Sequence, residues 1–237
     1  MAKPAFSRVL LKVSGEALAG DQSYGIEPEF LNRVASQIVD LVNAGVQVAI
    51  VIGGGNIFRG MAVAAKGGDR VTGDHMGMLG TVINSLALGD AIRRQGGRSH
   101  VFTSVTMPSI ADTFTQRGAT AALEGGAVVI CAGGTGNPFF TTDTAAALKA
   151  IELRCDVLLK GTKVDGVYAA DPATNPDAER FDAIGYDEVI RRNLRIMDTA
   201  AFALARDNSL PIIVYALSGP GGILGVLDGT ARSTRIG

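Results

Sequence analysis

Val9-Leu10-Leu11-Lys12-Val13-Ser14-Gly15 is an apolar run interrupted by one lysine and closed by a serine and a glycine. Its near-continuous apolar character reads as a strand buried on both faces, the habit of a parallel sheet covered by helices. The same texture recurs outward from it. Val48–Ile52, Ala127–Cys131 and Asp156–Lys160 read as further buried strands, with His100–Thr103 and Ile212–Tyr215 as shorter extended segments. Helical stretches alternate with them at 28–44, 74–95, 112–124, 143–153, 186–192 and 199–207. The first of these has Pro28 in its opening turn, Gly45 just past its end, and an apolar stripe of Phe30, Val34, Ile38, Leu41 and Val42. This order predicts an α/β fold: a three-layer αβα sandwich around a mostly parallel central sheet. From residue 161 turn signals follow in quick succession, at Gly161, Asp165-Gly166, Asp171-Pro172 and Asn175-Pro176. We read residues 1–237 as a single domain whose halves, 1–160 and 161–237, share one sheet.

Composition narrows the function classes. Of the 237 residues 47% are apolar and 19% charged, which excludes a disordered chain. Lys and Arg total 22 against 23 Asp and Glu, a net charge of −1. That balance lacks the basic excess of a duplex-binding surface, so no bulk nucleic acid is expected as partner. The 31 glycines have no period and cluster after apolar runs, which is how phosphate-cradling loops look. Cys131 and Cys155 sit in or beside apolar runs and read as buried small hydrophobes in a reducing compartment. His75 and His100 are too few and too scattered for a zinc site, and no metal site is expected. The N-terminal residues show no apolar core followed by a cleavage site, and no apolar run is long enough to span a bilayer. A cytoplasmic protein with no membrane partner is the expectation.

Five segments carry candidate chemistry. In the first, Lys12 lies inside a doubly buried strand, where an ammonium is costly unless paired. It either reaches a ligand at the strand end, with Ser14 and Gly15 beside it, or extends to solvent. In the second, Gly53-Gly54-Gly55-Asn56 follows a strand, with Arg59 one turn on. The glycines let backbone N–H groups close on an anion at a helix N-terminus, and Arg59 could add a bidentate phosphate contact; the alternative is a flexible turn with a surface arginine. The third is Gly73-Asp74-His75-Met76-Gly77, where Asp74 either caps the next helix or accepts from ribose hydroxyls. The fourth, Gly133-Gly134-Thr135-Gly136-Asn137-Pro138-Phe139-Phe140-Thr141-Thr142-Asp143, gathers hydroxyls, an amide and two aromatics at a strand's C-terminal end, where open α/β sheets bind ligands. Asp143 in it also suits an N-cap. The fifth runs from Thr162 to Pro172; its Tyr168 and Asp171 either flank a planar base and its sugar or belong to a β-hairpin. The P-loop, dinucleotide and protein-kinase signatures are absent.

Taken together, the five segments resemble the amino acid kinase family. Gly73–Gly77 and Gly136–Asp143 resemble the branch of that family that phosphorylates UMP, and the match runs over nearly the whole chain. The resemblance implies phosphoryl transfer from ATP to UMP, yielding UDP and ADP for pyrimidine nucleotide biosynthesis, with residues 1–160 as the UMP half and 161–237 as the ATP half. It implies catalytic roles for Lys12, Asp143, Arg59 and Asp198: Lys12 on the moving phosphoryl group, Asp143 orienting that lysine, Arg59 and Asp198 near the phosphates. Asp198 suits a helix N-cap equally well. UMP would be held by Gly54, Asp74, Thr135, Gly136, Asn137, Pro138, Phe139, Phe140, Thr141 and Thr142. ATP would be held by Lys12, Val13, Ser14, Gly15, Gly55, Arg59, Thr162, Tyr168 and Asp171, with Mg²⁺ carried on the nucleotide. The resemblance also implies a homohexamer, GTP activation through Gly20, Asp21, Gln22, Ser23, Tyr24 and Gly25, and UTP inhibition. Two rival readings remain at this stage, a small-carboxylate kinase of the same family and a related oxyanion-binding storage protein.

Overall fold

The computed structural model describes residues 5–58, 67–194 and 196–237. Its frame is a nine-stranded sheet in the order β4-β3-β5-β2-β1-β6-β10-β11-β9. The strands are β1 (Arg8–Val13), β2 (Gln47–Ile52), β3 (Ser99–Thr103), β4 (Asp112–Thr113), β5 (Val128–Ala132), β6 (Val157–Thr162), β9 (Ala183–Ile184), β10 (Ile212–Ala216) and β11 (Ser233–Ile236). Every neighbouring pair is parallel except β10 and β11. β7 (Val167–Tyr168) and β8 (Arg180–Phe181) form a separate antiparallel pair.

The helices are α1 (Gly15–Leu18), α2 (Pro28–Asn43), α3 (Arg70–Arg94), α4 (Gln116–Glu124), α5 (Thr142–Glu152), α6 (Tyr186–Arg191), α7 (Thr199–Asp207) and α8 (Gly222–Leu227). They divide between the two faces, as the alternation of side chains along a strand demands. Val9, Leu11 and Val13 pack with α2, α3 and α8 in one apolar layer. Leu10 and Leu158 pack with α4, α5 and α7 in the other. The expected three-layer αβα sandwich is therefore the observed one, and the single sheet joins the two halves of the chain.

Several local readings change. The stretch expected as helix from 112 begins instead as β4, and α4 starts only at Gln116, after Thr115 caps it by accepting from Gly118 N–H at 3.1 Å. The helix expected from 74 starts four residues earlier because Asp69, not Asp74, is its cap and accepts from Thr72 N–H at 2.7 Å. Tyr168 pairs antiparallel with Arg180, so it does belong to a β-strand pair, whose return strand β8 comes after Asp171-Pro172. α2 keeps its expected start at Pro28, and Gly45 takes the left-handed conformation, φ 86°, that ends it. Among the described residues no helix is long and apolar enough to cross a membrane.

Tyr215 lies in β10, 1% exposed, and its hydroxyl has no hydrogen-bond partner among the described residues. An unpaired buried hydroxyl costs stability that a phenylalanine would not. Tyr215→Phe is expected to leave the free energy of urea unfolding unchanged or raise it, by about 1 kcal/mol at most; a clear drop would show that the hydroxyl has a partner.

Candidate active site

The side-chain alternation that builds the two layers also aims two lysines. Leu10 and Leu158 face the α5 layer, so Lys12 and Lys160, two residues on, face it too. They are direct register partners on adjacent parallel strands. Asp143, in the first turn of α5, lies between them: Lys12 Nζ is 2.6 Å from Oδ1 and Lys160 Nζ 2.7 Å from Oδ2. Lys160 also donates to the Ile196 carbonyl. Burial pushes the Asp143 carboxyl up, but the Lys12 and Lys160 ammonium groups outweigh it and hold it below the usual carboxylate range. Burial pushes the Lys160 ammonium down, Lys12 adds repulsion, and Asp143 opposes both. The trio carries one net positive charge at the C-terminal edge of the sheet, which suits an anion.

Asp143 is not a cap. Thr141 caps α5, its hydroxyl accepting from Asp143 N–H at 3.0 Å and Thr144 N–H at 3.4 Å. Asp198 is one, for α7, accepting from Ala201 N–H at 2.9 Å. The same carboxylate accepts from the Thr141 hydroxyl, and from the Thr144 hydroxyl at 2.8 Å, so it ties the start of α7 to the start of α5.

The triple glycine meets a different demand from the one its composition suggested. A Cβ on Gly54 would stand 2.6 Å from the Gly77 carbonyl of α3, and one on Gly15 would stand 2.4 Å from the Gly53 carbonyl. These glycines are needed first for backbone packing on backbone; of the three, Gly55 alone leaves a Cβ ordinary room, with Glu16 Cγ at 3.5 Å. Ile57 and Phe58 N–H close a turn on the Gly54 carbonyl. Arg59 and the helix expected after the glycines lie outside the described residues. A reciprocal amide pair fastens this loop. Asn84 Nδ2 donates to Asn56 Oδ1 at 2.7 Å and to the Gly53 carbonyl at 2.7 Å, while Asn56 Nδ2 donates to Asn84 Oδ1 at 3.1 Å and to the Gly25 carbonyl at 2.8 Å.

A cavity of about 250 Å³ opens beside this loop, lined by Gly54, Gly55, Phe58, Asp74, Thr81, Gly134, Thr135, Asn137, Phe140, Thr141 and Thr142 among others. It brings together most of the residues expected on UMP. Phe139 and Phe140 stand at its mouth, 66% and 52% exposed. A second cavity, about 480 Å³, is lined by Tyr168, Asp171, Pro172, Asn193, Leu194 and Ile196. A third space of about 370 Å³ reaches Asp143 and Asp198 and shares Asn193, Leu194 and Ile196 with the second.

Not every expected residue joins these cavities. Thr162 lines a separate cavity of about 760 Å³ with Gly20, Asp21, Gln22, Arg33 and Lys163, away from Tyr168 and Asp171. The Val13 side chain is buried in the α2 layer and offers a ligand only its backbone. The Ser14 side chain makes no capping bond.

A family model described as the amino acid kinase family matches residues 7–216. The chain belongs to the amino acid kinase family. A protein named uridylate kinase from Brucella anthropi is 58% identical over 232 residues, covering 98% of this chain and 97% of that protein. A relative of the same name from Brucella abortus is also 58% identical over 232 residues, with the same coverage of both chains. Among solved structures of this family, the UMP kinase from Bacillus anthracis superposes with a TM-score of 0.93 at 38% identity, covering 98% of this chain and 96% of that one. The UMP kinase from Ureaplasma parvum gives 0.92 at 34% identity, covering 100% and 99%.

Lys160 was missed by sequence reasoning although it carries the signal that singled out Lys12, a lysine inside a doubly buried strand. Asn84 and Thr81 gave no such signal. Thr81 donates to the Met78 carbonyl at 2.7 Å and accepts from Gly133 N–H at 2.8 Å, tying the loop after β5 to α3.

Because the folded-state pKa of Asp143 is lowered, its contribution to stability is complete above the unfolded value of about 3.9 and is lost as pH falls through the folded value. Asp143→Asn leaves two buried ammonium groups facing each other and is expected to cost about 3–5 kcal/mol near neutral pH. Urea unfolding followed from pH 7 to pH 3 should show a shallower acid loss in the variant than in the wild type; parallel curves would mean that Asp143 does not drive the acid loss.

Proposed function

We propose that the protein transfers the γ-phosphoryl group of ATP to UMP, giving ADP and UDP, and does so in pyrimidine nucleotide biosynthesis in the cytoplasm. The observation that carries this reading is the Lys12–Asp143–Lys160 trio, whose Asp143 reaches a cavity, in a chain 58% identical to proteins named uridylate kinase. UMP belongs in the cavity of Gly54, Asp74 and the Thr135–Thr142 loop. The ATP base and sugar belong with Tyr168 and Asp171, with Gly15 and Gly55 as further ATP contacts and Arg59 near the phosphates; Thr162, which lines a different cavity, is left out of this set.

The chemistry asks for position and charge rather than for a base. The second pKa of a phosphomonoester is about 6, so the UMP phosphate is already a nucleophilic dianion at neutral pH. Its oxygen forms the new bond to the γ-phosphorus as the bridging P–O bond breaks, and the electron pair leaves on ADP. Negative charge on the moving phosphoryl oxygens is met by Lys12, which Asp143 holds in place. Asp143 itself, held below the carboxylate range by two ammonium groups, is a poor proton acceptor and serves as the strut. Asp198 fixes the Thr141 and Thr144 hydroxyls at the start of α5. Asp143 and Asp198 are both engaged by protein donors, so we assign Mg²⁺ to the ATP phosphates, entering with the substrate.

Regulation and assembly follow the same reading. We assign GTP activation to the Gly20–Gly25 loop, three of whose residues line the 760 Å³ cavity and whose Gly25 is bonded to Asn56 beside the acceptor site; UTP is assigned as inhibitor. The homohexamer is supported by α3, which is apolar on its outer face as well as its inner one. Met76, Leu79, Ile83 and Leu86 follow at spacings of three and four and are 42%, 49%, 47% and 38% exposed. Leu79→Glu with Ile83→Glu is expected to lower the mass measured by light scattering while the monomer stays folded; an unchanged mass would remove α3 from the interface.

ADP release with ATP and Mg²⁺ is expected for UMP, and not for acetylglutamate or aspartate. Lys12→Ala should lower kcat by about a thousandfold or more with the fold intact by circular dichroism. Turnover of a carboxylate in place of UMP, or a Lys12→Ala variant that keeps most of its kcat, would overturn the reading.

A further inference from the structure

Arg70 opens α3, directly after its Asp69 cap. Its Nε lies 2.8 Å from both carboxylate oxygens of Asp74, one turn along the helix. Its guanidinium carbon stands 5.4 Å from the centre of the Phe139 ring. Asp74 Oδ2 meanwhile accepts from Phe139 N–H at 2.7 Å. Arg70, Asp74 and Phe139 thus form a closed triangle, with Arg70 and Asp74 both on the wall of the acceptor cavity.

Phe139 needs this holding. Its φ is 71°, in the left-handed region that a bulky side chain avoids, and its exposed ring gains little from burial. Among the described residues, the contacts that hold it there are the Asp74 carboxylate and the Arg70 guanidinium. A carboxylate has about four lone-pair sites. One Arg70 N–H shared between the two oxygens and the Phe139 N–H on Oδ2 leave acceptor capacity on Oδ1, in a carboxylate that lines the cavity.

We propose that Arg70 is a positioning residue for the acceptor nucleotide: it fixes the Asp74 carboxylate for a ribose hydroxyl and pins the Phe139 loop at the cavity mouth. This rests on the reading of that cavity as the UMP site. The guanidinium is suited to both tasks because it hydrogen-bonds a carboxylate in plane while stacking on a ring face; a lysine ammonium does only the first.

The test is steady-state kinetics of Arg70→Gln and Arg70→Lys beside the wild type, with UMP and ATP varied separately and thermal unfolding recorded for each. Arg70→Gln is expected to raise KM for UMP by roughly ten- to a hundredfold, the loss of one charge-assisted contact, with KM for ATP unchanged and kcat down by less. Arg70→Lys should recover part of the UMP KM. Combined with Asp74→Asn, Arg70→Gln should cost little beyond Asp74→Asn alone, because it acts through that carboxylate. An unchanged KM for UMP, fully additive effects in the double variant, or both KM values rising together with a lowered melting temperature would overturn the assignment. A wild type that does not turn over UMP would overturn the acceptor reading itself, and this role with it.

Discussion

Lys12 and Lys160 face each other across neighbouring parallel strands, and two ammonium groups can be buried there only because Asp143 enters between them from the opposite layer. The desolvation of each charge is large, and the Coulombic return depends on all three being in place. That single requirement fixes much else. It sets where α5 must start, and therefore the path of the loop between β5 and α5. It also engages the Ile196 carbonyl, so the chain leading into α7 is drawn to the same point. A charge cluster that is expensive to bury thus ties β1, β6, the start of α5 and the chain before α7 to one point.

Around that point the packing is backbone on backbone. Gly15 against Gly53, and Gly54 against α3, bring the loops after β1 and β2 and the third helix closer than any Cβ would permit. The Asn56–Asn84 pair then satisfies the carbonyls that such close packing would otherwise strand, including that of Gly25. Buried polar groups of this kind are costly unless fully paired, and here the pairing runs across three segments. The consequence is a backbone-packed floor for the 250 Å³ cavity, while Phe139 beside it is held by the Asp74 carboxylate and the Arg70 guanidinium.

The sequence carried the architecture because the strands announce themselves. A parallel sheet covered on both faces needs continuous apolar runs, and Val9–Val13, Val48–Ile52 and Ala127–Cys131 are such runs. Cap positions were less legible. Asp69, Asp74, Thr141 and Asp143 all have chemistry that suits a cap, and which of them acts as one depends on where the chain arrives from. Because Asp69 and Thr141 take the capping bonds, Asp74 is left to bond Arg70 and Phe139, and Asp143 to pair with Lys12 and Lys160. The start of α4 was misplaced for a related reason: Asp112 and Thr113 are recruited into an edge strand by β3, a long-range pairing with no local signal.

The layers, the parallel frame and the set of loops at one end of it were legible in the chain alone, because periodicity and apolar runs are local properties. So was the need of Lys12 for a partner, since a charge in a buried strand cannot stand alone. The family resemblance already named Asp143 as that partner; that Lys160 shares it, and that Arg70 and Phe139 meet on Asp74, came from the folded chain alone. Those choices rest on register between strands and on the approach of segments far apart in sequence, and distances across a fold are not written in any one stretch of it.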